Sequence, residues 1–285
     1  MSNVIEVAAN LREQLEIIRE QSKSRAIAVS LHDLHTGFRF SLSGDRSFHA
    51  ASTIKVAVLL AIFRAADRGR LRPDDSLHVR NRFFSAADGS VFHVSPDRDA
   101  TPELYQSIGR TTKITTLAHA MVSGSSNLAT NLLLDFIGVE YARKVLSEAE
   151  VTGVELRRAV EDHLAHERGI NNEATADGLV SLLSAVRGDF LTNESKREVI
   201  RILLEQRFNS MIPAGLPKHA TVAHKTGEIS TACHDIGIVY LPEREPYIIA
   251  ILTEFDPDKE GRRETVAAIS ETIYRFLLGR EIQIK

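Results

Sequence analysis

The chain has 285 residues, 43% of them apolar and 26% charged, with a formal net charge of −3. That balance describes an ordinary folded protein with ample length for a core. The near-neutral charge excludes a general attraction to nucleic acid or to an anionic membrane surface. One cysteine, Cys233, excludes an internal disulfide and a multi-cysteine metal site, and it is expected to be a small buried apolar side chain.

No apolar run reaches the length of a membrane span. Glu6, Arg12 and Glu13 interrupt any apolar core near the N-terminus, so no signal-peptide pattern is present. As written, the chain is expected in the cytoplasm, or in the periplasm or outside the cell if a leader has been removed.

The first predicted element is a helix over about 3–22, with Val4, Ile5, Ala8, Leu11, Leu15 and Ile18 on one face. Ala26 to Leu31 reads as a strand, His35-Thr36-Gly37 as a turn, and Phe38 to Leu42 as the returning strand of a hairpin. A helix follows from Thr53 to about Arg68, ended by Gly69 and Pro73. The middle third is helical: Ile114 to Val122, Asn127 to Ile137, Glu140 to Glu148, Thr175 to Val186 and Lys196 to Gln206. The period then changes, and Thr221 to Thr226, Asp235 to Leu241 and Tyr247 to Leu252 read as strands. A last helix covers about Arg263 to Leu278.

Strands thus occur only towards the two ends. The expected fold class is α/β (α+β): one antiparallel sheet of five strands, covered on one face by the first and last helices, with an all-α lobe inserted. A single catalytic domain is expected, made of an α/β lobe (about 1–50 and 207–285) and an all-α lobe (about 51–206). Its site is expected at the seam, where clefts usually form.

Three short stretches carry chemistry. They are Ser52-Thr53-Ile54-Lys55 (S-x-x-K), Ser125-Ser126-Asn127 (S-x-N) and Lys225-Thr226-Gly227 (K-T-G), in that order. A serine hydroxyl is a weak nucleophile until a base takes its proton. Lys55 lies one helical turn after Ser52 and faces the same side. A lysine in a dry cleft near a second cation, here Lys225, has a lowered pKa and can act as that base. The backbone N–H groups of Ser52 and Glu228 are candidate oxyanion donors. Ser125 can relay protons, and Asn127 can hold Lys55 and a substrate amide. Lys225 and Thr226 can receive a substrate carboxylate, and Gly227 allows a substrate backbone close to the strand. Taken singly, Ser52 would be a helix cap, Ser125-Ser126-Asn127 another cap, and Lys225-Thr226-Gly227 a strand end. Their joint order favours a serine acyl-transfer site.

Other chemistry is less well supported. His163 and His166, three apart in an expected loop, lack a third metal ligand nearby, and no metal is assigned. His224 should face away from Lys225 on its strand. His234-Asp235 offers an alternative triad with Ser52, but Lys55 already stands within one turn of the serine.

At these motifs the chain resembles the penicillin-recognising serine enzymes, most closely the class A β-lactamases. The resemblance runs from about Ala26 to Leu278 and includes Met121 to Leu134 (MVSGSSNLATNLLL). It implies a five-stranded sheet with a helical lobe, acylation of Ser52, proton transfer by Lys55, proton shuttling by Ser125 and carboxylate recognition by Lys225. No cofactor is implied, and the partner is a small-molecule substrate, a β-lactam or a related amide or ester, handled by a monomer. D-amino-acyl carboxypeptidase or esterase activity is the enzymatic alternative. A penicillin-binding sensor acylated without turnover is the non-enzymatic one.

The sequence departs from the family in four places. Ser126 stands where class A usually has aspartate. The stretch from Asn81 to Thr111 is longer than typical. The loop of about Arg157 to Asn172 does not match the family's E-x-x-x-N pattern cleanly. Glu161 is the best candidate for the deacylating carboxylate, with Asp162 and Glu167 as rivals. Finally, Glu228 replaces a usually small residue and is expected to repel an anionic substrate or narrow the cleft.

Overall fold

The computed structural model describes residues 2–257 and 259–284, and the side chains of residues 8–257 and 259–279. Chain contacts separate two units, Met1–Thr53, Thr175–Val180 and Phe208–Lys285 in one, Ile54–Ala174 and Ser181–Arg207 in the other.

The first unit is built on a five-stranded antiparallel sheet. Its strands are β1 (Ala26–Asp33), β2 (Arg39–Leu42), β3 (Thr221–Ile229), β4 (Ala232–Tyr240) and β5 (Tyr247–Glu254), in the order β3-β4-β5-β1-β2. The N-terminal hairpin is therefore completed by the C-terminal meander, with Val29 opposite Ile251. The turn after β1 forms because Asp33 accepts from His35 N and Thr36 Oγ1 while Gly37 takes a φ of +73°. Helices α1 (Ser2–Ser22) and α9 (Arg262–Ile284) pack with one face of this sheet. Leu11 and Leu15 of α1 and Val266, Ile269 and Ile273 of α9 are fully buried in one cluster with Ile27, Val29, Ile249 and Ile251. Each such side chain contributes roughly 1.5–3 kcal/mol. Ala8 and Ile18 pack against the cluster as the helical period requires; the side chains of Val4 and Ile5 lie outside the described residues.

The second unit is helical. It holds α2 (Lys55–Asp67), α3 (Ile114–Val122), α4 (Asn127–Ile137), α5 (Val139–Glu148), α6 (His163–Glu167), the later turns of α7 (Ala176–Arg187) and α8 (Asn193–Leu204). Helix α2 is apolar on every side, from Val56 to Phe63, and is buried at the centre of the unit, as such a helix must be. Lys55 is the buried cation at its first position.

The helix expected from Thr53 begins as a 3₁₀ turn, Ala51–Ile54, and becomes α-helical only at Lys55. The short α6 and three pairings of short strands fall in stretches that lacked a periodic signal. The pairings are Ser76–His78 with Thr111–Lys113, Phe83–Phe84 with Val91–Phe92, and Val154–Glu155 with Glu173–Ala174. Among the described residues no helix is long and apolar enough to cross a membrane.

Candidate active site

Within the α/β unit, the serine turn and the K-T-G strand lie against each other. Ser52 belongs to the 3₁₀ turn Ala51–Ile54, which Thr53 closes by bonding Ala50 O through both its backbone N (3.2 Å) and its Oγ1 (2.6 Å). The chain enters the turn through Ala51 at φ +47°, a costly conformation for a residue with a Cβ. Gly227 of β3 backs onto this turn. A Cβ at Gly227 would stand 3.0 Å from Thr53 Cγ2 and 3.1 Å from both Ala51 Cβ and Ser52 N. The glycine expected to admit a substrate also leaves room for the protein's own serine turn. Beside it, Lys225 and Thr226 are buried, and Lys225 Nζ donates to Thr226 O at 2.8 Å.

Within the helical unit, Lys55 is the centre of a polar network. Its Nζ donates to Ser125 O (2.7 Å), to Asn127 Oδ1 (2.8 Å) and, more weakly, to Ser125 Oγ (3.4 Å). Burial lowers its pKa to about 7, against the opposing pull of the carboxylates of Asp99 and then Glu161. Two causes were expected, a dry cleft and the neighbouring cation Lys225. Desolvation is the one that acts, and the charges that act on Lys55 are acidic.

Ser125 sits at φ +57°, a second strained non-glycine residue. Ser126 caps α4, its Oγ accepting from Ala129 N at 3.2 Å. Asn127 extends its amide the other way, Nδ2 donating to Arg98 O at 3.3 Å.

Glu161 is the third strained residue of this group, at φ +60°. Its Oε2 meets Arg98 Nη1 at 3.3 Å and His163 Nε2 at 3.4 Å. The preceding residue is clamped by a side chain buried in α4: Asn131 Oδ1 accepts from Val160 N and Asn131 Nδ2 donates to Val160 O, both at 2.9 Å. The base of the loop is closed by Asn172, whose Oδ1 accepts from Arg157 N (2.8 Å) and Arg158 N (3.0 Å).

The two rivals of Glu161 differ. Asp162 is buried and accepts from Ser85 Oγ and Ala86 N (2.8 Å each) and from Ala165 N (3.1 Å), so it caps α6 and ties it to the 83–92 ribbon. Glu167 ends α6 and is exposed. The long 81–111 stretch thus supplies the anchors of the Glu161 loop: Ser85, Ala86 and Arg98.

The remaining candidates resolve as follows. His234 Nδ1 accepts from Thr253 N (3.1 Å) and its Nε2 meets His49 O at 3.0 Å. Both ring nitrogens are thus engaged by backbone groups, and burial lowers its pKa to about 4. His224, on the other face of β3 from Lys225, pairs with Asp235 (3.0 Å) and Asn209 (3.1 Å). His166 bonds Asn171 Oδ1 at 2.8 Å, while His163 faces Glu161 and Arg98. Cys233 is buried against Met211, and burial raises its thiol pKa to about 12. Glu228 is paired with Arg262 (3.0 Å) and Arg263 (2.8 Å) at the start of α9. The carboxylate expected to repel anions is therefore neutralised.

Sequence reading missed Asp99, Arg98 and Asn131. Asn131 had a signal: a polar residue in the buried run Leu128 to Leu134 of α4 needs a partner. Asp99 had none, because its bonds go to residues as far as 29 positions away.

A lysine of lowered pKa one turn from a serine, with an S-x-N segment on its amine and a K-T-G strand against the serine turn, defines a serine hydrolase of the S-x-x-K kind. The chain belongs to the β-lactamase enzyme family, whose sequence profile matches residues 10–277. Among curated relatives it is 27% identical to β-lactamase ROB-1 of Haemophilus influenzae over 276 residues, covering 94% of this chain and 85% of that one. The fold matches the class A β-lactamase from Mycobacterium abscessus with a TM-score of 0.82 at 23% identity, covering 94% of this chain and 99% of that one. It matches PBP-A with a TM-score of 0.81 at 24% identity, over 95% and 96% of the two chains.

Proposed function

We propose that this serine hydrolase opens β-lactams through an acyl-enzyme on Ser52. The observation that carries the reading is Lys55, buried, lowered to about 7 and held by Ser125 and Asn127 three residues after the nucleophile. Ser52 Oγ attacks the lactam carbonyl carbon as its proton passes to Lys55 Nζ. The N–H groups of Ser52 and Glu228 receive the oxyanion. When the C–N bond breaks, Ser125 passes its hydroxyl proton to the departing nitrogen and takes in exchange the one held by Lys55 Nζ, 3.4 Å from Ser125 Oγ. Lys225 and Thr226 bind the substrate carboxylate, and Asn127 orients its amide.

Water then attacks the acyl carbonyl and gives its proton to Glu161; the bond from the acyl carbon to Ser52 Oγ breaks, and that proton passes to Ser52 Oγ as the acid product leaves. Glu161 suits this role because it is one of two carboxylates acting on Lys55, and both of its ion-pair contacts fall on Oε2. The engagement of that oxygen by Arg98 and His163 favours one second reading, a penicillin-binding protein that acylates and releases slowly. A PBP-A mutant has itself been solved as an acyl-enzyme with penicillin G.

The test is intact mass before and after penicillin and a chromogenic cephalosporin, with hydrolysis followed in parallel. We expect a covalent adduct that Ser52→Ala cannot form, and continuing hydrolysis. A stable adduct without turnover establishes the second reading. Neither adduct nor hydrolysis in the folded protein defeats both.

A further inference from the structure

The second motif carries an uncharged residue, Ser126, at its middle, yet a carboxylate is present there. It belongs to Asp99, which follows the 3₁₀ turn Pro96–Arg98 and is buried. Asp99 Oδ2 accepts from Ser126 Oγ (3.1 Å), Asn127 N (3.0 Å), Leu128 N (2.9 Å) and Tyr105 Oη (3.2 Å). Its Oδ1 accepts from Thr101 N and Thr101 Oγ1, both at 3.0 Å. A negative group at the first N–H groups of an 11-residue helix meets both their hydrogen-bonding need and the helix dipole. Of the residues it holds, Asn127 receives Lys55 Nζ on its Oδ1, and Ser125, the neighbour of Ser126, receives it on its carbonyl.

We propose that Asp99 is the positioning residue of the second motif. It fixes Ser125-Ser126-Asn127 from outside the motif, keeps the Asn127 amide and the Ser125 carbonyl on Lys55, and so sets the geometry and charge of the base. The role rests on the acyl-enzyme reading for Ser52. A prop that only capped α4 would stabilise the fold without touching Lys55. Asp99 does touch it electrostatically: it is the larger of the two charges that favour protonated Lys55. Among the described residues, Glu161, itself paired with Arg98 and His163, and Tyr105, whose hydroxyl donates to Asp99 and whose pKa is raised by burial, also face this cluster.

Asp99→Asn keeps the volume and removes the charge. Its acylation by penicillin should slow by about 100-fold, the scale expected when a catalytic group is misplaced by about an ångström. The acid limb of its pH–rate profile should move to lower pH, since Lys55 loses a group that favours its proton. The double variant Asp99→Asn/Ser126→Asp returns a carboxylate to the cluster and should recover both rate and pH limb. Titration of Lys55 by NMR of its ε-carbon, without substrate, should show the same downward shift in Asp99→Asn.

A slower rate with an unmoved acid limb and unmoved Lys55 titration would make Asp99 a structural prop and overturn the proposal; so would an unchanged rate. If Asp99→Asn does not fold, the double variant decides. Acylation by it supports the role, while a folded, inactive double variant, or one that also fails to fold, overturns it. If wild-type protein is not acylated but its Lys55 titration shifts in Asp99→Asn, the acyl-enzyme reading fails alone and the hold of Asp99 on Lys55 stands.

Discussion

In the α/β unit, the candidate residues are held by a sheet. Lys225, Thr226 and Gly227 stand opposite Ile236, Asp235 and His234 in the β3–β4 ladder, and the missing side chain of Gly227 leaves room for the turn of Ser52. In the helical unit no ladder does this. Lys55, Asn127, Asp99 and Glu161 are fixed by side-chain bonds between segments far apart in sequence, and Ser125 and Glu161 both sit at positive φ. Shape thus positions the proposed nucleophile and polar contacts position the proposed base. A sheet tolerates the loss of one side chain better than a buried polar network does, because an orphaned buried partner there costs about 1–3 kcal/mol. The largest effects should therefore come from the helical unit.

Lys55→Arg is the severest test of the network. Arginine keeps the charge but does not give up a proton, so acylation should slow by roughly 10²–10⁴-fold, the worth of general-base help. The wild-type rate should rise with pH through about 7, because Lys55 accepts a proton only when neutral. Stopped-flow acylation across pH checks both points. An arginine variant that acylates normally would make Lys55 structural.

Glu161→Gln tests the same network on its other side. Acylation should persist while deacylation slows by about 10²-fold or more, giving a burst of about one equivalent and an adduct that survives to the mass spectrometer. Equal turnover in the variant would place the working carboxylate elsewhere.

Gly227→Ala moves the comparison to the α/β unit. The new methyl group would press on Ala51, Thr53 and Ser52 N at 3.0–3.1 Å, so the serine turn must shift. Acylation should fall by up to about 100-fold with β-lactams and simple esters alike, while circular dichroism stays that of the wild type. An unchanged rate would show that the turn yields freely and that shape does not set the nucleophile.

The smallest effect is expected at Lys225. Loss of a charge-assisted hydrogen bond to a substrate carboxylate costs about 1.5–3 kcal/mol. Lys225→Ala should therefore cut kcat/KM for carboxylate-bearing substrates by ten-fold or more, at about 1.4 kcal/mol per factor of ten, and spare neutral esters of similar shape. Equal losses would give Lys225 a general electrostatic role instead.

The amino-acid sequence by itself determined the main elements and singled out the motif residues. Helices α3 and α4 have the ends that hydrophobic period and turn residues indicate, because a buried stripe and a cap are local patterns. The five strands were legible from alternation and composition, and Ser52, Lys55, Ser125 and Lys225 from spacing along single turns and strands.

What only the tertiary structure decided was which charges meet. Glu228 is neutralised by Arg262 and Arg263, Asp162 is used as a cap, and burial rather than Lys225 lowers Lys55. Asp99 reaches the second motif across 27–29 positions of chain. Periodicity reports how one element faces its core. A polar contact depends on two backbones approaching within about 3 Å and on the water excluded around them, and neither is written in the residues near any one partner.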